Sequence, residues 1–156
     1  MALINKELIF IKKNFKDKWE ALSFLADQLY KDQRVKSTFK QKVLDREKNY
    51  PTALPNGKIA VAIPHADWKQ VKKSTLTFAT LNKPVIFKNM GNPKEDIKVQ
   101  IIIMLAIAQP KAEVKMLQKL MSIVQNQKHL QDFLAYKDTE ELFKDVKQTF
   151  DSKVKN

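Results

Sequence analysis

Cysteine is absent from the 156-residue sequence, and histidine occurs only twice, at His65 and His129. Disulfides, thiolate zinc sites and thiol catalysis are excluded together, which narrows the candidate nucleophiles. Neither His-x-x-x-His nor His-x-Glu spacing occurs, so the two histidines do not read as a metal site. His65 stands in Ile59-Ala60-Val61-Ala62-Ile63-Pro64-His65-Ala66-Asp67. There an apolar strand ends, proline forbids further pairing, and the next side chain is an imidazole on a rigid element near solvent. An imidazole so placed can act as base, ligand or nucleophile; the alternative is a loop histidine with no role. Asp67 is a candidate to orient the ring, although a residue two positions on need not face it. Upstream lies Arg46-Glu47. The planar fork of Arg46 suits a phosphoryl group through two parallel charge-assisted hydrogen bonds; the alternative is a surface ion pair with Glu47. His129, in Lys128-His129-Leu130, reads as a helix-surface residue.

The elements that must position these groups follow from hydrophobic periodicity. Leu8-Ile9-Phe10-Ile11 reads as a strand. Trp19, Leu22, Leu25, Ala26 and Leu29 are spaced for an amphipathic helix over Asp17–Lys31. A second helix is expected around Lys36–Lys48, with Phe39, Val43 and Leu44 on its apolar face. Pro51 and Pro55 bracket a loop, Tyr50–Lys58, before a buried strand at Ile59–Ile63. Ser74–Leu81 alternates as a strand. Asn82-Lys83-Pro84 reads as a turn before a short Val85–Phe87 strand. Val99–Ala108 is a second buried strand. Pro110 opens a helix to about Gln125, with Val114, Leu117, Leu120, Met121 and Val124 inward. A shorter helix follows at about Lys128–Ala135. Asp138-Thr139-Glu140-Glu141 supplies the cap and acidic first turn of a last helix ending near Phe150. The fold class is α/β: a single domain with a mixed β-sheet flanked by α-helices on both faces.

The net charge is +12. It is spread along the chain without a basic block, and only Arg34 and Arg46 are arginines. Diffuse lysines describe a solvated surface rather than a base-reading one, so no nucleic-acid partner is expected. A hydrophobic fraction of 44% is too high for a disordered basic tail. The longest apolar stretch, Val99–Ala108, contains Gln100 and falls short of a membrane span, so no membrane insertion is expected. Met1-Ala2-Leu3-Ile4 is followed at once by charges, unlike a secretory leader. A soluble, intracellular protein is the expectation.

Two motifs are familiar. Arg46-Glu47-x-x-Tyr50-Pro51-Thr52-Ala53 and Gly57-Lys58-Ile59-Ala60-Val61-Ala62-Ile63-Pro64-His65 together resemble the fructose/mannitol-type enzyme IIA domains of the bacterial sugar phosphotransferase system. Among them the chain looks most like the galactitol-specific enzyme IIA proteins. The resemblance continues through Val99–Ala108 and Leu117-x-x-Leu120, with a core of about residues 8–150 of a single enzyme IIA type-2 domain spanning 1–156. Ala53 departs from the glycine common after Pro-Thr.

The resemblance implies a mannitol-type enzyme IIA fold and a cytoplasmic phosphotransferase component that needs no cofactor and no metal. His65 would accept a phosphoryl group on Nε2 from the phosphocarrier HPr. It would pass the group to a cysteine of enzyme IIB, for uptake of a sugar or polyol through the membrane enzyme IIC. Arg46 matches the family's arginine near the active histidine and would stabilise the phosphoryl group. Many members carry a second active-site histidine whose position here matches Glu113; the galactitol-type branch also tends to lack it. Ile63 and Trp68 are candidates for partner contact. The alternative function is a free-standing regulatory enzyme IIA-like protein, controlled by phosphorylation of the same histidine.

Overall fold

A computed structural model of the protein describes residues 3–55 and 57–151. The elements in order are β1 (Ile4–Lys13), α1 (Lys18–Lys31), α2 (Phe39–Asn49), β2 (Ala53–Leu54), β3 (Ala60–Ala62), a 3-10 turn (Trp68–Gln70), β4 (Thr75–Asn89), β5 (Asn92–Ala106), α3 (Pro110–Val124), α4 (Gln127–Ala135) and α5 (Thr139–Asp151). Strand side chains alternate between the two faces of the pleat, and here each face has its own core. On β5, Ile101, Ile103 and Leu105 enter one core; Ile102, Met104 and Ala106 enter the other. On β3, Val61 faces the first, and Ala60 and Ala62 face the second. The alanine side receives α1 through Ala21, Leu22, Leu25, Ala26 and Leu29, and α2 through Phe39 and Val43. The bulkier side receives α3, α4 and α5 through residues such as Leu120, Phe133 and Val146. Each fully buried Leu or Phe on these faces contributes about 1.5–3 kcal/mol of transfer free energy. The sheet is mixed, with helices on both faces, as expected.

In the sheet, β1 runs parallel to β4, β4 antiparallel to β5, β5 parallel to β3, and β3 antiparallel to β2. A parallel pairing, Ala53 with Asn89, ties β2 to the end of β4. Local chemistry sets the ends. Asp17 accepts from the Glu20 backbone N–H at 2.9 Å to start α1, and Asp138 accepts from the Glu141 N–H at 2.9 Å beneath α5. Gly57 turns the chain toward β3 at φ +79°, where a Cβ would meet the Gln127 side chain at 2.8 Å. That side chain brackets Ile59, accepting from its N–H at 2.9 Å and donating to its carbonyl at 3.2 Å.

Three expectations are corrected. Asn82-Lys83-Pro84 is not a turn between two strands, because β4 runs through it. The register with β5 jumps between Thr80, opposite Ile101, and Val85, opposite Val99. The extra residues are exposed in a bulge, where the missing N–H of Pro84 costs no ladder bond. The reversal comes instead at Met90-Gly91, where Asn89 Oδ1 accepts from the Gly91 N–H at 2.8 Å. The loop expected over 50–58 also contains a short strand, β2. On α3, Leu120 and Val124 face inward as expected and Leu117 packs partly against the core. Val114 and Met121 lie exposed, and Met116 and Ile123 are buried in their stead. This helix carries apolar residues on several sides, so periodicity alone does not choose the face.

Candidate active site

The end of β3 fixes His65. Pro64, lacking an N–H, offers only its carbonyl, which accepts from Leu105 N–H at 3.0 Å, and His65 pairs beside Leu105 on β5. The imidazole is buried at 8% exposure. Its Nδ1 lies 2.9 Å from the Ile63 carbonyl oxygen. That oxygen only accepts, so Nδ1 carries the proton and Nε2 keeps the lone pair. Burial pushes the His65 pKa below its ordinary 6.5; the Ile63 bond opposes this, and the positive charge of Arg46 adds to it. The lowered pKa favours the neutral ring, and the backbone sets its tautomer. Asp67 does not orient it: its carboxylate accepts from Lys69 N–H at 3.2 Å and caps the 3-10 turn.

Arg46 and Glu47 sit side by side in the last turn of α2 and do opposite things. Glu47 is buried. Its two oxygens accept from the Thr52 backbone N–H at 3.0 Å and from the Thr52 hydroxyl at 2.8 Å. The Thr52 carbonyl in turn accepts from Ile63 N–H at 3.1 Å. A hydrogen-bonded line therefore runs from Glu47 through Thr52 and Ile63 to the imidazole. Burial pushes the Glu47 pKa up, while the two Thr52 bonds pull it down. Arg46 points outward, with its guanidinium carbon 5.4 Å from the centre of the Tyr50 ring, within cation–π range. No Arg46–Glu47 ion pair forms among the described residues.

Arg46 and His65 line one pocket of about 250 Å³, with Asn49, Tyr50, Pro51, Thr52, Met90 and Pro93. The last two come from the β4–β5 hairpin, whose turn is held to β2 by Met90 N–H donating to the Ala53 carbonyl at 2.8 Å. Sequence reading missed this wall because it missed the hairpin; Asn89-Met90-Gly91-Asn92 was the available turn signal. Of the two partner-contact candidates, Trp68 is 37% exposed but Ile63 only 1%. Ile63 is a core residue. Exposed Tyr50 and Met90 stand at the pocket instead.

Glu113, in the first turn of α3, has one carboxylate oxygen, Oε2, fully covered and without a hydrogen-bond partner among the described residues. Burial raises its pKa; Arg46 lowers it and Asp67 raises it. Its helix follows β5, the strand beside His65. His129 is not a plain surface residue. Its Nε2–H donates to Asp145 Oδ1 at 2.7 Å, and the ring lies 4.6 Å from that of Phe133. Asp145 also accepts from the Tyr136 hydroxyl at 2.6 Å and from Thr149 at 2.9 Å. This cluster joins α4 to α5; its contacts are distant in sequence, which is why local reading overlooked it. Among the described residues no group of three or more His, Asp or Glu side chains could hold a metal. No described helix is long and apolar enough to cross a membrane.

An imidazole at a strand end, its Nε2 without a hydrogen-bond partner among the described residues, shares a pocket with an arginine on a mixed sheet between two helical layers, an arrangement that suits phosphoryl transfer. The family described as "Phosphoenolpyruvate-dependent sugar phosphotransferase system, EIIA 2" matches residues 2–149, and the chain belongs to it. It is a phosphotransferase of the kind that carries phosphoryl groups between components. The chain is 24% identical over 127 residues to the galactitol-specific EIIA component of Escherichia coli K12, covering 81% of this chain and 84% of that protein. The fold matches the complex of enzyme IIA-mannitol with phosphorylated enzyme IIB-mannitol from Escherichia coli, with TM-score 0.72, 22% identity and coverage of 92% and 96%. It also matches the nitrogen regulatory protein IIA-Ntr from Neisseria meningitidis, with TM-score 0.69, 19% identity and coverage of 92% of this chain and 96% of that one.

Proposed function

We propose that this chain is a cytoplasmic, single-domain enzyme IIA that accepts a phosphoryl group on His65 Nε2 and passes it to a cysteine of an enzyme IIB. The observation that carries this is the Nδ1–Ile63 hydrogen bond. In the first step the Nε2 lone pair attacks phosphorus on the phosphohistidine of HPr. A P–Nε2 bond forms, the donor's N–P bond breaks, and its electron pair returns to the donor ring. The His65 proton stays on Nδ1 against Ile63. In the second step a partner thiolate attacks, an S–P bond forms, and the P–Nε2 electron pair returns to the ring. A ring that keeps its Nδ1 proton is the better leaving group. Arg46 neutralises charge on the phosphoryl oxygens during both steps. The geometry does the rest by positioning.

Exposed Tyr50 and Met90 at the pocket, with Trp68 exposed three residues after His65, suit a modest, transient interface. The +12 charge steers acidic partners toward it. Enzyme IIB, with its membrane enzyme IIC, would deliver the group to a sugar or polyol. Likeness to the galactitol-specific protein favours a polyol. Likeness to IIA-Ntr supports a second reading, in which the same phosphohistidine signals to a regulated partner. Reconstitution with enzyme I, HPr, phosphoenolpyruvate and a galactitol-type IIB–IIC pair separates the two. Phosphorylation of a sugar or polyol supports transport. A labelled protein that passes phosphate to no IIB contradicts it.

A further inference from the structure

Arg46 and Asn49 stand three residues apart in the last turn of α2, and residues so spaced are neighbours on a helix surface. Both line the pocket with His65. Asn49 Nδ2 donates to the Asp45 carbonyl at 3.1 Å. A carbonyl only accepts, so this bond fixes which end of the amide is the NH2 group. That nitrogen carries two N–H groups, and the second has no partner among the described residues. A phosphoryl group on His65 presents three oxygens that only accept. The planar fork of Arg46 can satisfy two of them. Few of the pocket's other side chains can supply the third bond. Thr52 gives both its N–H and its hydroxyl to Glu47. Pro51, Met90 and Pro93 carry no side-chain donor. The Asn49 amide and the Tyr50 hydroxyl are left. The Tyr50 ring is 65% exposed and lies against the Arg46 guanidinium, whereas the Asn49 amide is anchored to its own helix. The pocket also lies at the C-terminal end of α2, where the helix dipole is negative, so an anion held there needs donors to offset it.

We propose that Asn49 donates its second amide N–H to the third oxygen of a phosphoryl group carried on His65, completing the hold that Arg46 begins. The proposal rests on His65 being the acceptor. It gives the site one cationic and one neutral donor, both from a single helix turn, so one rigid element sets the charge and the geometry together.

The test measures the rate of His65 phosphorylation at saturating phospho-HPr in the full chain and in three variants whose folding is checked by circular dichroism. Asn49→Ala removes the donor and is expected to slow transfer about 10-fold, the loss of one hydrogen bond to a charged group. Asn49→Asp keeps the shape but offers only acceptors and adds a negative charge beside the phosphoryl oxygens, so it should be slower than Asn49→Ala. Tyr50→Phe keeps the ring against Arg46 and should stay near the wild-type rate. Equal rates in wild type and Asn49→Ala would overturn the proposal while leaving His65 as acceptor. An Asp variant as fast as the Ala variant would also overturn it, because residue 49 would then not face the transferred group. A loss in Tyr50→Phe as large as that in Asn49→Ala would give the third bond to the hydroxyl and overturn the assignment. A wild-type chain that takes no phosphate would overturn the underlying reading, and this inference with it.

Discussion

Glu47 grips Thr52 with both carboxylate oxygens, at 3.0 Å to the backbone N–H and 2.8 Å to the hydroxyl. Neither residue supplies the imidazole, yet the Thr52 carbonyl holds Ile63 N–H at 3.1 Å, and the Ile63 carbonyl holds His65 Nδ1 at 2.9 Å. The motif that joins an Arg-Glu pair to a Pro-Thr pair therefore reads as a device for setting a ring tautomer. Its first residue goes to the pocket and its second to the interior.

Removing that grip should cost both stability and transfer. Glu47→Ala leaves the Thr52 N–H and hydroxyl without their buried acceptor, and we expect a loss of about 1–3 kcal/mol in denaturant unfolding. His65 phosphorylation should slow in the same variant. Glu47→Gln can still accept from the N–H and donate to the hydroxyl, so it should retain most of the stability. Wild-type stability in the alanine variant would mean that the contact has no structural role.

The acid limb of the transfer rate should lie below the ordinary histidine value. Burial, with help from Arg46, lowers the folded-state pKa of His65 beneath 6.5. The nucleophile therefore stays neutral as pH drops through 6.5, and the rate holds its plateau there. The sign for stability runs the other way. Below 6.5 the unfolded chain takes up a proton that the folded ring refuses, so this contribution is present above 6.5 and lost as pH falls. NMR titration of the ring, set beside a pH–rate profile, checks both. A ring pKa at or above 6.5 would contradict the neutral buried nucleophile.

Arg46 should matter for transfer and little for folding, since it is exposed and its guanidinium lies over the Tyr50 ring. Arg46→Ala should slow phosphorylation by about 10–100-fold, the loss expected for one charge-assisted contact. Arg46→Lys keeps the charge without the planar fork and should recover only part of the rate. Tyr50→Ala, which frees the guanidinium from its ring, should give a smaller decrease. Unchanged rates in Arg46→Ala would remove it from the mechanism.

The His129–Asp145 cluster should be structural. Burial alone would raise the Asp145 pKa, but bonds from Tyr136, His129 and Thr149 outweigh it and hold the carboxyl below its usual 3.8. The Tyr136 hydroxyl, bonded to Asp145, is pushed up to about 12. The carboxylate's contribution is present above 3.8 and lost as pH falls beneath it. Asp145→Asn should destabilise the fold by about 1–3 kcal/mol, and His129→Ala should leave phosphorylation of His65 unchanged. Loss of phosphorylation on removing His129 would show that the cluster does more than brace two helices.

Much of this was legible in the residues because the deciding forces were local. Alternation across Ile101–Ala106 and the three- and four-residue spacing in α1 each state which face is buried. Pro64 beside His65 announces a strand end. The misread parts depended on partners distant in the chain. Nothing near Asn82-Lys83-Pro84 reveals that β5 will accommodate the extra residues as a bulge. The face chosen by α3 follows from the sheet it lies on. His129 looked solvated because Asp145 and Thr149 arrive from another helix. Glu113 is singled out by motif alignment alone; that one of its oxygens is covered, with no hydrogen-bond partner among the described residues, is visible only in three dimensions.

The central claim is that Nε2 of His65 takes the phosphoryl group. Incubation of the nitrogen-15-labelled protein with enzyme I, HPr and phosphoenolpyruvate, followed by NMR of the histidine rings, tests it most directly. The expected result is phosphorus coupling at His65 Nε2, a retained Nδ1 proton, an unaltered His129, and no incorporation in His65→Ala. Phosphate on another residue, on Nδ1, or still incorporated by the His65→Ala variant would contradict the account.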